Sequence, residues 1–188
     1  MSSRSGAIPS ACAQLLIVAT VWVSLYLVND WLFEFVAVSE YISWVFLPAA
    51  VRMLAVLLTG WVGVAGLFVG SLITGFYGFG DSSLGQVVVL AGLSALAPML
   101  AFIVCANFLG LRADLQGLSA MQLVMLSLVC AAFTSGLHSV HLYAFGTVEA
   151  FVDAFVPMFV GDLLGTIAVL YVAKILMGLM GPTKPAAT

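Results

Sequence analysis

The chain has 188 residues, of which 64% are hydrophobic and 7% charged, with a mean hydropathy of +1.24 and a formal net charge of −3. Soluble domains are about 45–50% apolar and about 25% charged, so a soluble globular fold is excluded, and nothing forms a basic surface for nucleic acid. The net charge is too small to select a charged partner, which leaves membrane lipid as the surrounding this composition demands.

A helix needs about 20 apolar residues to cross the hydrocarbon layer. The chain therefore has room for about six spans and no separate soluble domain. Backbone polar groups in lipid must be satisfied within the segment, and the apolar runs lack the period-2 alternation of barrel strands. The expected fold is an all-α polytopic bundle, a single integral membrane domain over residues 1–188, with short cytoplasmic tails at about 1–10 and 179–188.

The first run, Ala11 to Val28, follows Arg4. It is long for a signal peptide and ends in VNDWLFE rather than at a small-residue cleavage site, so it reads as a retained helix. The acidic, aromatic stretch DWLFEFVAVSEY (30 to 41) is expected along the interface. The second crossing runs from about Trp44 to Leu58, the third from Trp61 to Tyr77 and the fourth from Val87 to Phe108. The fifth runs from Leu118 to Leu137 and the sixth from Ala154 to Met177. Crossings two and three are short and joined by Thr59-Gly60, so a broken or re-entrant pair is the alternative there.

Lys and Arg collect on the cytoplasmic side of membrane proteins. With the N terminus inside, Arg4, Arg112, Lys174 and Lys184 fall on the cytoplasmic side or near it. Asp30, Glu34, Glu40, Asp81, Glu149 and Asp153 then fall outside. This pattern predicts a multi-pass membrane protein with both termini cytoplasmic. Cys12, Cys105 and Cys130 are odd in number and sit inside apolar runs, which reads as small packed hydrophobes rather than a disulfide or metal site.

Two charges stand within apolar runs, Arg52 and Asp162. Each costs about 2.5–3.5 kcal/mol at a helix centre on insertion scales, so such groups face a bundle interior or wet cavity and find partners. Both lie at similar depth from the outer side, and an ion pair between them is expected. It would either register two helices or line an outward pocket for a small polar ligand. FLPAAVR (46 to 52) and FVPMFVGD (155 to 162) each set a proline shortly before the charge. Proline removes a backbone donor, so both helices are expected to kink or unwind near Pro48 and Pro157. Gly66 and Gly70, with Thr74 continuing the face, and Gly161 and Gly165 have the four-residue spacing of close helix packing. The carboxylate of Asp162 would flank the second contact, about 100° around the helix from Gly161.

In SGLHSVHLY (135 to 143), His138 and His141 share a helical face. Zinc needs three or four ligands, and although Glu149 and Asp153 are near in sequence, no recognised spacing supports a site. Interfacial histidines bonded to water or backbone are expected, with a role in a pH-sensitive pocket as the sharper alternative. The candidate ligand-binding set is Arg52, Asp162, His138, His141 and Trp44, the packing set is Pro48, Gly66, Gly70, Gly161 and Gly165, and no metal or cofactor is expected.

FLPAA (46 to 50), LFVGSLIT (67 to 74) and VGDLLGTIAVLY (160 to 171) together resemble the bacterial membrane-associated sensor (type 1) integral membrane domain, over about residues 44 to 175. The resemblance puts Pro48, Ala49, Ala50, Gly70, Gly161, Asp162 and Gly165 at that family's characteristic positions and implies perception of a signal from the periplasmic side. Family members continue into a cytoplasmic output, whereas here MGLMGPTKPAAT follows, so the state would pass to a separate signalling subunit. Phe159 stands for the aromatic residues usual before Gly-Asp, and Val51-Arg52 for a common glycine. The rival reading is the substrate-binding membrane subunit of an energy-coupling-factor vitamin transporter, against which the first helix lacks an AxxxA docking stripe. An intramembrane enzyme would use Asp162 with His138 as acid and base, but no nucleophile motif accompanies them. The expectation is a non-enzymatic sensory or ligand-binding module.

Overall fold

The computed structural model describes residues 9–78, 83–109 and 120–179. It contains six α-helices: α1 (Ala11–Phe33), α2 (Ala49–Thr59), α3 (Trp61–Gly78), α4 (Leu84–Leu109), α5 (Ala120–Ala144) and α6 (Phe151–Leu179). All but α2 are long and apolar enough to cross a membrane, and the chain is a multi-pass membrane bundle. Between α1 and α2 lie a single 3-10 turn, Glu34–Val36, and a small antiparallel hairpin of β1 (Ala37–Ser39) and β2 (Ile42–Ser43). The segment expected along the interface thus splits, its first residues extending α1 and the rest folding into the hairpin.

The second crossing differs from its expectation. Its helix is confined to Ala49–Thr59, about 16 Å at 1.5 Å per residue, against a hydrocarbon core of about 30 Å. The chain nevertheless returns the full way. Leu15 and Val18 of α1 lie against Gly66, Trp22 against Gly70 and Tyr26 against Gly78, so α1 and α3 run parallel and everything between them must come back across the bundle. Residues 44–48 make the first part of that return in non-helical conformation, and α2 makes the rest. Pro48 is the helix N-cap, which locates the break where the missing donor foretells one. Pro157, in contrast, sits inside the continuous helix α6.

Non-helical backbone at this depth needs partners for its polar groups, and two long helices supply them. The Phe46 N–H donates to the Gly161 carbonyl of α6 at 3.1 Å. The Leu47 N–H donates to Asn29 Oδ1 of α1 at 2.8 Å. Glycine is required on α6 because a Cβ at Gly161 would strike the Ser43 carbonyl, and one at Gly165 the Phe46 carbonyl. The glycine pairs therefore do different work: Gly66 and Gly70 seat α3 on α1, while Gly161 and Gly165 seat an unwound strand on α6. Asn29→Leu is expected to lower stability by about 1–3 kcal/mol by orphaning the Leu47 N–H. Denaturant unfolding in detergent micelles measures this, and Asn29→Asp, which keeps an acceptor, should lose less.

Around α2 the long helices form an arc in the order α1, α3, α4, α5, α6, each packed on the next and each touching α2. Seven of the eleven α2 residues are buried. One apolar cluster joins Val18 and Trp22 of α1 to Val51, Ala55 and Val56 of α2, Leu67 of α3 and Met99 of α4. A second joins Met53 of α2 to Cys105 of α4 and Leu126 and Cys130 of α5, the packed role expected of the cysteines, whereas Cys12 is exposed. A third, Ile42 with Leu142 and Ala154, fastens the hairpin to the adjoining ends of α5 and α6. Asp30, Glu34, Glu40, Glu149 and Asp153 consequently gather at the hairpin end, and Lys174 near the opposite end. Arg4, Asp81, Arg112 and Lys184, used in the charge pattern, lie outside the described residues.

Candidate functional site

The first turn of α2 carries Arg52 inward to the middle of α6, where Nη1 meets Asp162 Oδ2 at 2.9 Å. Residue exposures of 4% and 6% place both partners in the interior. The guanidinium also lies against two rings, 5.2 Å from the centroid of Trp22 and 4.8 Å from that of Phe46. A desolvated cation over aromatic faces gains about 2 kcal/mol, so the arginine is held by three groups from three segments. Trp22 is itself fixed. Its Nε1–H donates to Thr74 Oγ1 at 3.2 Å, its ring occupies the space a side chain at Gly70 would fill, and its edge meets Phe46 at 6.0 Å.

A cavity of about 70 Å³ opens beside the pair, walled by α1, α3, α4, α5 and α6 residues that include Ser71, Ser94, His138 and Met158. Since a water's share of liquid volume is about 30 Å³, the chamber has room for two waters or a small polar group. His138 lies on its wall with both ring nitrogens bonded. Nδ1 is 2.8 Å from the Thr134 carbonyl, which can only accept, so Nδ1 bears the hydrogen. In the neutral ring Nε2 then accepts from the Ser94 hydroxyl, 3.2 Å away. Arg52 Nε and Ser71 Oγ, in two residues that line the chamber, are buried with no hydrogen-bond partner.

Towards the hairpin the cavity adjoins a wider vestibule of about 470 Å³. Tyr26, Glu40, Tyr41, Ser43 and Phe46 wall both chambers, and Asp30 and Glu34 add two more carboxylates to the outer one. The polarity is therefore graded, with acids at the mouth and a paired arginine with unused donors at the floor. No family model, curated protein or solved structure matches this chain. The site must be read from its own geometry.

Of the candidate ligand residues, the fold brings Arg52, Asp162 and His138 to one chamber. His141 is buried elsewhere on α5, 4.5 Å from the Phe145 ring, with Nε2 unbonded. Both histidines are buried within the bundle, and α5 runs past them to Ala144 instead of ending near Leu137. Trp44 is 42% exposed and walls neither chamber. Trp44 lies just past β2 (Ile42–Ser43), and in this segment Ser43 and Phe46 take the inward places. Among the described residues no three of His, Cys, Asp and Glu converge as metal ligands.

Trp22, Tyr26, Glu40, Ser71 and Ser94 complete the site, and sequence pattern alone does not mark them as candidates. Thr74, which continues the Gly66–Gly70 face, is the one pointer to α3. Chemically, the arrangement offers orientation and binding: fixed donors, a fixed carboxylate and aromatic walls at mid-depth. Asp162 bonds to Arg52 while His138 bonds to Ser94 and Thr134, so the acid and base that an enzyme would need are each engaged with another partner.

Proposed function

We propose that this protein is a membrane-embedded sensory or ligand-binding module that takes up a small polar ligand at the Arg52–Asp162 site and relays its state to a separate partner. The supporting observation is the buried ion pair at the floor of a polar cavity that adjoins an acidic vestibule. Intramembrane charges are costly and are usually retained for function, and here a chamber with polar wall residues lies beside them. The hairpin end is the periplasmic side of a bacterial inner membrane in this reading, consistent with acids at that end and Lys174 near the other. The sensor-domain resemblance of residues 44 to 175 agrees with it. Occupancy at the pair would be felt by α1, α2 and α6 together, because Arg52, Asp162 and the 44–48 strand tie all three.

A second reading, the substrate-binding subunit of an energy-coupling-factor vitamin transporter, draws support from the broken α2. Discontinuous helices with unwound backbone at mid-membrane commonly line solute sites. Thermal unfolding of the purified protein in micelles against amino acids, amines, carboxylates and vitamins tests the shared claim. A stabilising, saturable shift with one solute, absent in Arg52→Gln, is expected. No shift with any solute would refute it, and uptake that depends on an added transporter ATPase would select the second reading.

A further inference from the structure

Asp162 stands between two spaces. It walls the chamber beside Arg52 and also a second cavity of about 10 Å³, formed with Ala49 and Met53 of α2, Ser127 and Cys130 of α5 and Thr166 of α6. Among the described residues it is the one common to the two. The second cavity lies farther from the hairpin, since Cys130 is about two turns before His138 on α5 and Thr166 one turn past Asp162 on α6. Its size is close to the minimum that holds one water. The carboxylate itself is bonded at one oxygen only. Oδ2 accepts from Arg52 Nη1 at 2.9 Å, while Oδ1 has no hydrogen bond among the described residues. The side chain is 8% exposed. Unlike Arg52 Nε, Oδ1 is not one of the partnerless polar atoms shut off from all open space, so the exposed surface includes it.

We infer that Asp162 is a proton-binding site, and that a proton on Oδ1 releases the charged tie between α2 and α6. The inference goes beyond the ligand reading and needs no solute to bind. A hydronium in the chamber gives its proton to Oδ1 and leaves as water; the carboxylate becomes a neutral carboxyl and no other bond changes. Removing the counter-charge of a buried cation is ordinarily prohibitive. Here the guanidinium keeps the faces of Trp22 and Phe46, 5.2 and 4.8 Å away, and aromatic faces stabilise a desolvated cation. Arg52 can therefore stay with α1 and the 44–48 strand while α6 lets go. The titratable groups on the walls of the two cavities are Tyr26 of α1, Glu40 and Tyr41 of the hairpin, Arg52 of α2, and Cys130 and His138 of α5; α3 and α4 add hydroxyls only. His138 is the nearest rival for the proton, and both its ring nitrogens are already bonded, whereas Oδ1 is open.

Infrared difference spectroscopy of the full-length protein in nanodiscs tests the site. Aspartate isotopically labelled at the side-chain carboxyl carbon is incorporated, with Asp30, Asp81, Asp114 and Asp153 replaced by Asn, so that Asp162 is the sole labelled carboxyl. As the pH falls from neutral, the labelled carboxylate band should give way to a labelled carboxylic-acid band while circular dichroism shows the helices intact. A second readout keeps Trp22 alone, with the exposed Trp31, Trp44 and Trp61 replaced by Phe. Its emission should shift over the same pH interval, because the guanidinium on its face loses its counter-charge, and Asp162→Asn should abolish that dependence. The isotope measurement retains Asp162 itself, so it decides the matter even where Asp162→Asn does not fold. A labelled carboxylate band that persists until the protein unfolds, or an acid band already complete at neutral pH, would overturn the proton site. Protonation without any change at Trp22 would overturn the release of the tie.

Discussion

Asp162→Ala should cost about 3–5 kcal/mol of stability, because it leaves a guanidinium buried without its counter-charge. Arg52→Ala should do the same from the other side, with the added loss of the contacts to Trp22 and Phe46. The double substitution should cost much less than the sum. A coupling of about 0.5–3 kcal/mol is the range for residues in direct contact, and denaturant unfolding of the four proteins in one micelle system reads it. The swapped pair, Arg52→Asp with Asp162→Arg, should recover only part of the loss. It restores the charges but removes the guanidinium from its contacts with the two rings. Additive losses would mean the charges do not meet.

Gly165→Ala is expected to be nearly as damaging, at about 3 kcal/mol or more, beyond the usual upper end for overpacking. Its methyl would land on the Phe46 carbonyl with Leu47 N also within 2.8 Å, and backbone cannot swing aside as a side chain can. The strand would have to lift from α6 and give up the Phe46–Gly161 hydrogen bond. The control is internal to the protein. Gly92 and Gly136 are helical glycines at which an added methyl would meet nothing within 4 Å, so replacing either by Ala should be neutral or stabilise by up to about 1 kcal/mol. Melting temperatures of the three variants decide the matter. Similar behaviour in all three would refute the seating of the strand on α6.

Much of the fold is legible in the sequence because lipid imposes hard rules. Continuous apolar runs give the five long helices, and the requirement that an intramembrane charge find a partner at its own depth leads from Arg52 to Asp162. The break at Pro48 is half visible. Proline and the Thr59-Gly60 junction mark it, but Trp44 to Leu47 are as apolar as a helix would be, and hydropathy does not distinguish a helix from an unwound strand backed by Asn29 and Gly161. Side-chain direction is the least legible feature. The long helices are apolar nearly all round, so nothing in their pattern fixes rotation. Ser71 and Ser94 therefore give no sign of facing the cavity, and Trp22 none of facing the arginine. Trp44 and His141 fail as candidates for the same reason, one turned outward just past β2 and the other turned away from the chamber on α5.

The central claim is that the chamber beside the ion pair opens towards the hairpin end, through the residues it shares with the vestibule, and not towards lipid or the opposite face. Thiol labelling of Ser43→Cys, on the wall common to both chambers, tests it most directly, in a background with Cys12, Cys105 and Cys130 replaced, because the thiolate that reacts forms only where water reaches. A small membrane-impermeant reagent should modify that cysteine from the same side of sealed vesicles as a Glu40→Cys reference on the hairpin. A Ser43→Cys thiol that stays unreactive from that side, or that reacts only from the other, would contradict the account.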